Sequence, residues 1–273
     1  MIQIWSLHNL KMLPYFVILA VITANTVAQP HEYNLRIYSY SGPLDEDVLR
    51  SNFSELFSLE IRLSNITSFS RDTLKKFKIL EELSIAFSRI HKTEDDIFDH
   101  CCPKLKKLEI RNWIGFTQTD LKGVGSLPLE HLEIIDQNIP ILKNDMFENS
   151  GLTDLLLIND NIERIDPMAF KNLINLEYLL ISQNKLKKFP KEAIAPLKNL
   201  ETLEFSSNGL ETLSTNDLPE LPRLKKLILT NEKLKEVDFT DIETKAPSLT
   251  EIYLVGNVGV KIHGNSSIVH NLV

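Results

Sequence analysis

The sequence predicts an α/β solenoid: stacked coils sharing a concave parallel β-sheet of about ten short strands, with an irregular, 3-10 or short-helix convex side. Three observations carry that prediction. Leucines recur in one frame at intervals of 23 to 25 residues. Each copy opens with alternating apolar and polar residues, the period of a strand that buries one face. The 273 residues are 43% hydrophobic and 25% charged, so the chain can bury a core and is not of the low-complexity disordered type.

In chain order, residues 1–28 come first and read as a signal peptide. A 12-residue apolar run, residues 13–24 (LPYFVILAVITA), follows Lys11 and precedes Thr26, Val27 and Ala28, which places the cut after Ala28. The run falls short of the about 20 residues a membrane span needs, so no integral membrane span is expected. An uncleaved signal anchor is the other reading, and Met12 offers a second start. Residues 266–273 are too short and too polar for a lipid-anchor signal. Three sequons, at Asn52, Asn65 and Asn265, agree with a secreted, extracellular glycoprotein.

The repeat domain spans residues 29–257. Leu176, Leu179, Ile181, Asn184 and Leu186 fill every fixed position of LxxLxLxxNxL. Leu200, Leu203, Phe205, Asn208 and Leu210 do the same, with Phe in the third apolar slot. The frame starts again at Leu56, Leu80, Leu105, Leu129, Leu152, Leu224 and Leu249, and a degenerate first copy starts near Glu32. Nine in-phase copies do not arise by chance. In each, the apolar residues of the LxL segment point into the coil and those between them point out. The return segment carries inward layers of its own: Ile165, Phe189, Leu213 and Val237 in one, Phe98, Phe147 and Phe170 in another. No coil buries these faces alone, so neighbours stack into one core.

On these residues the chain resembles the extracellular leucine-rich-repeat family, of the typical 24-residue type. The resemblance implies a leucine-rich-repeat horseshoe. It also implies that the motif asparagine bonds to backbone groups of adjoining coils, a position filled here by Asn184, Asn208 and Asn257, with Asp160 a partial mimic. Ser64, Ser88, Trp113, Gln137 and Glu232 depart from it, so the ladder is expected to weaken toward the N-terminus. The coil of Trp113 also holds Gly115, Gly123 and Gly125, and is expected to be kinked or loosened.

Extracellular members of the family usually close their ends with cysteine-rich caps. This chain has two cysteines, Cys101 and Cys102, both inside a repeat, so caps of that kind are not expected. The adjacent thiols leave three states open: free, with one buried and one exposed; a vicinal disulfide; or an intermolecular bridge. His100 lies beside them, yet a second ligand pair is missing, and no metal site is expected. Residues 258–273 form a C-terminal tail that either covers the open strand edge or leaves it for a dimer contact.

The outward residues at the third, fifth and seventh motif positions decide what the concave face can bind. The first four coils place mainly polar and charged residues there. The fifth to seventh set Ile135, Leu156, Ile158, Tyr178 and Leu180 side by side, with Glu133 and Glu204 among the charged neighbours. Ile228 and Tyr253 belong to a smaller cluster further on. An apolar patch with a charged rim, which folding does not require, marks a protein-binding site. Strand propensity of Ile and Leu is the competing explanation. No HExxH, GxSxG, P-loop or dinucleotide fingerprint occurs, and His131 beside Glu133 lacks a nucleophile or pocket. No catalytic residue, enzyme activity or cofactor is therefore expected. A formal net charge of −7 argues against nucleic acid as a partner. The expected function is recognition of a protein ligand, or else a glycan, on the concave face. The resemblance widens this to soluble recognition or immune-type factors, co-receptors and decoys. The alternative is a structural scaffold that self-associates, as a homodimer or longer array, through uncapped ends or through Cys101 and Cys102.

Overall fold

The computed structural model describes residues 19–24, 33–44, 53–92, 97–99, 101–144, 146–147, 151–264 and 267–270. Parallel strands line the concave side and are numbered by coil: β1 (Tyr33–Tyr38), β2 (Leu56–Arg62), β3 (Glu82–Lys92), β4 (Lys107–Ile114), β5 (His131–Ile135) and β6 (Asp154–Ile158). They continue as β7 (Tyr178–Ser182), β8 (Thr202–Ser206), β9 (Lys226–Ile228), β10 (Glu251–Tyr253) and β11 (Val269–His270). Each pairs with the next in chain order, so the sheet is the repeat made visible. Strands β3 to β10 all open two residues after a repeat start read from the leucines.

One register runs through the stack. Leu132, Leu155, Leu179, Leu203, Leu227 and Ile252 lie opposite one another, as do Ile134, Leu157, Ile181 and Phe205. All are buried. A slip of one residue would turn this whole set toward solvent, which is why the register holds. The core they enter is a single cluster from Leu35 to Leu254, with Phe98, Phe147 and Phe170 filling its convex layer. The return segments are short: paired strands at Ile141–Leu142 and Arg164–Ile165, a three-stranded ribbon at Thr212–Ser214, Glu236–Phe239 and Lys261–Gly264, and helices α1 (Arg71–Lys75), α2 (Gln118–Val124) and α3 (Lys191–Ile194). This is the predicted class, with a sheet on one side and little helix on the other.

The asparagine ladder continues toward the N-terminus with fewer bonds per rung, as expected from Ser64 and Ser88, while Gln137 and Glu232 keep their rungs in place. Asn184 shows the full motif: its Nδ2 donates to Leu157 O and Ser182 O, and its Oδ1 accepts from the N–H groups of Asp160 and Ile162. Ser64 and Ser88 supply half of that set, one donated and one accepted bond from each hydroxyl. They donate at 2.8 Å to Arg62 O and Ala86 O, and accept from Tyr40 N at 3.2 Å and Ser64 N at 3.1 Å. Gln137 donates to Ile135 O, and Glu232 accepts the N–H groups of Asn208, Gly209 and Leu210. Buried backbone groups need partners, and any side chain of suitable reach supplies them.

Trp113 is the exception, and the surrounding coil adapts to it. Its ring is buried, edge-on to Phe98 at 6.0 Å and tilted on Phe116 at 5.3 Å, with Nε1 left without a partner. Strands β3 and β4 stay paired through the bend, Ser88 against Trp113 and Arg89 against Ile114, so strand bonding replaces the missing ladder rung. Helix α2 then follows, capped by Thr117 and Asp120, and Asp120 takes a buried ion pair from Lys92. The coil is tightened rather than loosened, and its glycines serve close approach. A Cβ on Gly125 would stand 2.1 Å from Met146 O.

Both sheet ends are occupied. Residues Leu19–Ala24, from the apolar run at the N-terminus, pair antiparallel with β1 from Leu19 opposite Tyr38 to Ala24 opposite Tyr33. At the other end the tail makes a further partial coil: β11 pairs with β10, and Lys261–Gly264 with Glu236–Phe239. It does not fold back over the concave face. Among the described residues, no helix is long and apolar enough to cross a membrane.

Candidate functional site: the concave face and its rim

The outward positions form rows across the strands, and the rows decide which side chains meet. The middle row runs Arg36, Glu60, Ser84, Glu109, Glu133, Leu156, Leu180, Glu204, Ile228, Tyr253 and His270. Leu156 and Leu180 are therefore direct neighbours, and Ile158 lies opposite Ile135. With Tyr178, which faces Asp154, these five residues make one contiguous half-exposed patch on β5 to β7. Glu204 separates it from Ile228 and Tyr253, so the smaller cluster continues the same row after one carboxylate.

That carboxylate is unusual in having little support. Glu204 is half-buried, and burial raises its pKa against a single long contact from the Tyr178 hydroxyl at 3.5 Å. The Tyr178 hydroxyl is pushed up to about 12, by burial first and by the Glu204 charge second. Glu133 differs. It is buried and held by Arg111 at 2.6 Å, with His131 at 4.0 Å. On the C-terminal flank Tyr253 donates to Glu251 at 2.7 Å, lies under the Lys226 ammonium at 5.4 Å and stacks on His270 at 5.0 Å.

The N-terminal half of the face is a network of ion pairs. Arg36 meets Glu60 at 3.1 Å, Arg62 meets Glu60 at 3.4 Å, and Lys107 meets Glu109 at 2.8 Å. Charges matched in this way present little net attraction to a partner, so the apolar patch dominates the centre of the face.

A feature of the rim escaped the sequence reading. Immediately before each ladder position the backbone turns left-handed, at Ser39, Leu63, Phe87, Asn112, Asp136, Asn159, Gln183, Ser207, Asn231 and Gly256. Such φ values cost a side-chain-bearing residue about 1–2 kcal/mol, with Asn and Asp most tolerant. Eight of these ten positions carry small or polar residues, and only Leu63 and Phe87 are large and apolar. Both are exposed, by 63% and 48%. Aligning that one column of the repeat would have exposed them as misfits.

The remaining candidates fall as follows. Cys101 and Cys102 are both free and both buried, which corrects the expected split between a buried and an exposed thiol and leaves neither presented for an intermolecular bridge. A contact from Cys101, then burial, pushes the Cys102 thiol well above its usual range. Cys102 also donates to Leu74 O at 3.7 Å. Asn65 is half-buried, with Nδ2 donating to Ser41 Oγ at 3.3 Å. Asn52 and Asn265 lie outside the described residues, as do residues 1–18 and 25–28 of the signal-peptide reading.

The leucine rich repeat family matches residues 150–210 and 174–234, the stretch that holds Asn184 and Asn208 and lies beyond the serine and tryptophan substitutions. A comparison with curated proteins gave no match. Among solved structures, the chain is similar to TLR13 in its complex with ssRNA13, at 17% identity and a TM-score of 0.57, covering 86% of this chain and 41% of that one. It is similar to Drosophila Toll in complex with Spatzle, at 14% identity and a TM-score of 0.61, covering 87% and 32%. An internalin (inlF) from Listeria monocytogenes str. 4b F2365 follows at 18% identity and a TM-score of 0.54, covering 83% and 63%. The chain thus spans less than two thirds of each neighbour, and the likeness is one of fold. Repeat frame, parallel sheet and the family match over residues 150–234 agree on the fold, a leucine-rich-repeat solenoid.

Proposed function

We propose that this is a secreted binding protein without catalytic activity that takes a protein ligand on its concave face. The observation that carries the proposal is the patch of Ile135, Leu156, Ile158, Tyr178 and Leu180, contiguous over three strands and partly exposed where folding does not require apolar residues. Its rim is polar, with Glu133, Asp154 and Glu204 around it, the arrangement of an interface core and border. An apolar centre suits a protein side chain better than a glycan. The net charge of −7 disfavours a phosphate backbone, although TLR13 is in complex with an RNA. Toll, in complex with Spatzle, illustrates the fold with a protein bound. Secretion rests on the apolar run at residues 13–24, and glycosylation on the three sequons.

The test is a double variant, Leu156→Glu with Leu180→Glu, compared with wild type in affinity capture from the native extracellular fluid. Both side chains point outward, so the variant should melt within a few degrees of wild type. Two charges at the centre of an interface should weaken capture by about 100-fold or more. Undiminished capture would remove the patch from the site.

A second reading, self-association into a scaffold, draws on the C-terminal end, where Ile262, Ile268 and Val269 are only partly buried. Light scattering separates the two: a monodisperse monomer excludes the scaffold.

A further inference from the structure

We propose that the ligand of the concave face presents a basic side chain, best an arginine, that lies against Tyr178 between Asp154 and Glu204. The proposal rests on the reading of the patch on β5 to β7 as the ligand site, and it adds the chemistry of the partner.

Position comes first. Glu204 interrupts an otherwise apolar run of the middle row, with Leu156 and Leu180 on one side and Ile228 and Tyr253 on the other. Tyr178 lies opposite Asp154 on one neighbouring strand and opposite Thr202 on the other, and its hydroxyl reaches Glu204 at 3.5 Å. The charges of both carboxylates act on that hydroxyl. The phenol therefore stands between two acidic groups at the edge of the apolar patch.

Charge balance is the second observation. The outward positions of β5 to β8 hold three carboxylates, Glu133, Asp154 and Glu204, and neither lysine nor arginine. Arg111 of β4 matches Glu133 at 2.6 Å, and His131, which lies opposite Asp154, stands 4.0 Å from that same glutamate. The lysines on the flanking strands are engaged elsewhere, Lys107 with Glu109 at 2.8 Å and Lys226 with Glu251 at 3.0 Å. With those pairs counted, Asp154 and Glu204 have no cation among the described residues. Each takes a hydroxyl instead, Thr153 Oγ1 at 2.7 Å for Asp154 and the Tyr178 phenol for Glu204.

Desolvation then sets what the partner must bring. Glu204 is half-buried, and burial already raises its pKa. An apolar residue seated on Leu156 and Leu180 would strip more water from it. A carboxylate covered without a cation is costly, whereas a ligand that carries one replaces the lost water with an ion pair. A guanidinium fits twice over, since its fork meets a carboxylate with two hydrogen bonds and its plane stacks on an aromatic ring. An acidic partner would be repelled, which makes the same two carboxylates a filter.

The experiment selects a displayed library of random 12-residue peptides on the full wild-type chain and measures the clones on three variants. Glu204→Gln and Asp154→Asn remove charge and keep shape, whereas Leu156→Ala with Leu180→Ala truncates the patch without altering charge. The proposal expects clones that join Arg or Lys to an aliphatic or aromatic residue and lose about tenfold or more in affinity on Glu204→Gln. Asp154→Asn should weaken them too, and a clone whose basic residue is replaced by Gln should no longer sense Glu204→Gln. Neither charge variant should melt below wild type, since neither carboxylate holds a cation in the fold. Clones without a basic residue that fall only on the alanine pair keep the patch and overturn the proposal. Basic clones indifferent to both charge variants overturn it as well. So does a scrambled clone of equal affinity, which would assign the attraction to the net charge of −7 alone. A lower melting point for Glu204→Gln would give that carboxylate to the fold, against the proposal. No enriched clones, or clones indifferent to all three variants, remove the patch and the proposal together.

Discussion

Two carboxyl groups stand where the repeat asks for an asparagine, and they meet the demand in different ways. Glu232 reaches further and gathers the N–H groups of Asn208, Gly209 and Leu210 together with Asn208 Nδ2, donors that oppose the rise burial imposes on its pKa. Asp160 has less support, with Gln137 N donating to its Oδ1 at 2.9 Å and its Oδ2 buried without a partner. Burial, with a smaller push from the Asp136 charge, raises its pKa to about 8. The carboxyl therefore keeps its proton to a higher pH in the fold than a free aspartate does. The sign follows from linkage: stability from this group is complete below its unfolded pKa near 3.8 and is lost as pH rises through about 8. Thermal melts between pH 4 and pH 9 should show wild type losing on the order of a few kcal/mol across that window relative to Asp160→Asn. Parallel profiles for the two proteins would show that Asp160 is already ionised in the fold.

At the scale of elements, the concave strands were legible and the return segments much less so. A strand with one buried face needs strict alternation, and Leu179–Ile181 or Leu203–Phe205 displays it without ambiguity. The return side has no comparable period. Helix α2 is seven residues long and depends on Thr117 and Asp120 for its start, a local bond pattern that hydrophobic spacing does not announce. The glycines around Trp113 were misread for a related reason: glycine signals either looseness or close approach, and only the packing tells which. Gly125 is of the second kind, with Met146 O and Phe147 Cα where a side chain would go. Gly125→Ala should therefore cost about 2–4 kcal/mol in denaturant unfolding, through displaced backbone between coils four and five. A cost below about 0.5 kcal/mol would mean that the two coils part easily.

For the whole molecule, the important consequence is that each coil is supported only by its neighbours. A solenoid of this kind has stability that is nearly a sum of coil and interface contributions, so damage at one end need not reach the other. The C-terminal tail offers the sharpest test. Within it, Ile268 O and His270 O accept the Ile252 and Leu254 N–H groups, and Lys261 donates to Lys235 O. Ile262 pairs with Val237, which is fully buried. Deleting residues 258–273 would bare the outer faces of β10 and of Glu236–Phe239 while leaving every partner of β5 to β7 in place. Hydrogen exchange should then show lost protection at Ile252, Leu254 and Val237, falling off across β9, with β6 and β7 unchanged. Binding through Leu156 and Leu180 should survive the deletion on the same grounds. A uniform loss of protection from β2 to β10 would instead show that the coils unfold as one unit, and that the docking surface depends on the far end of the stack.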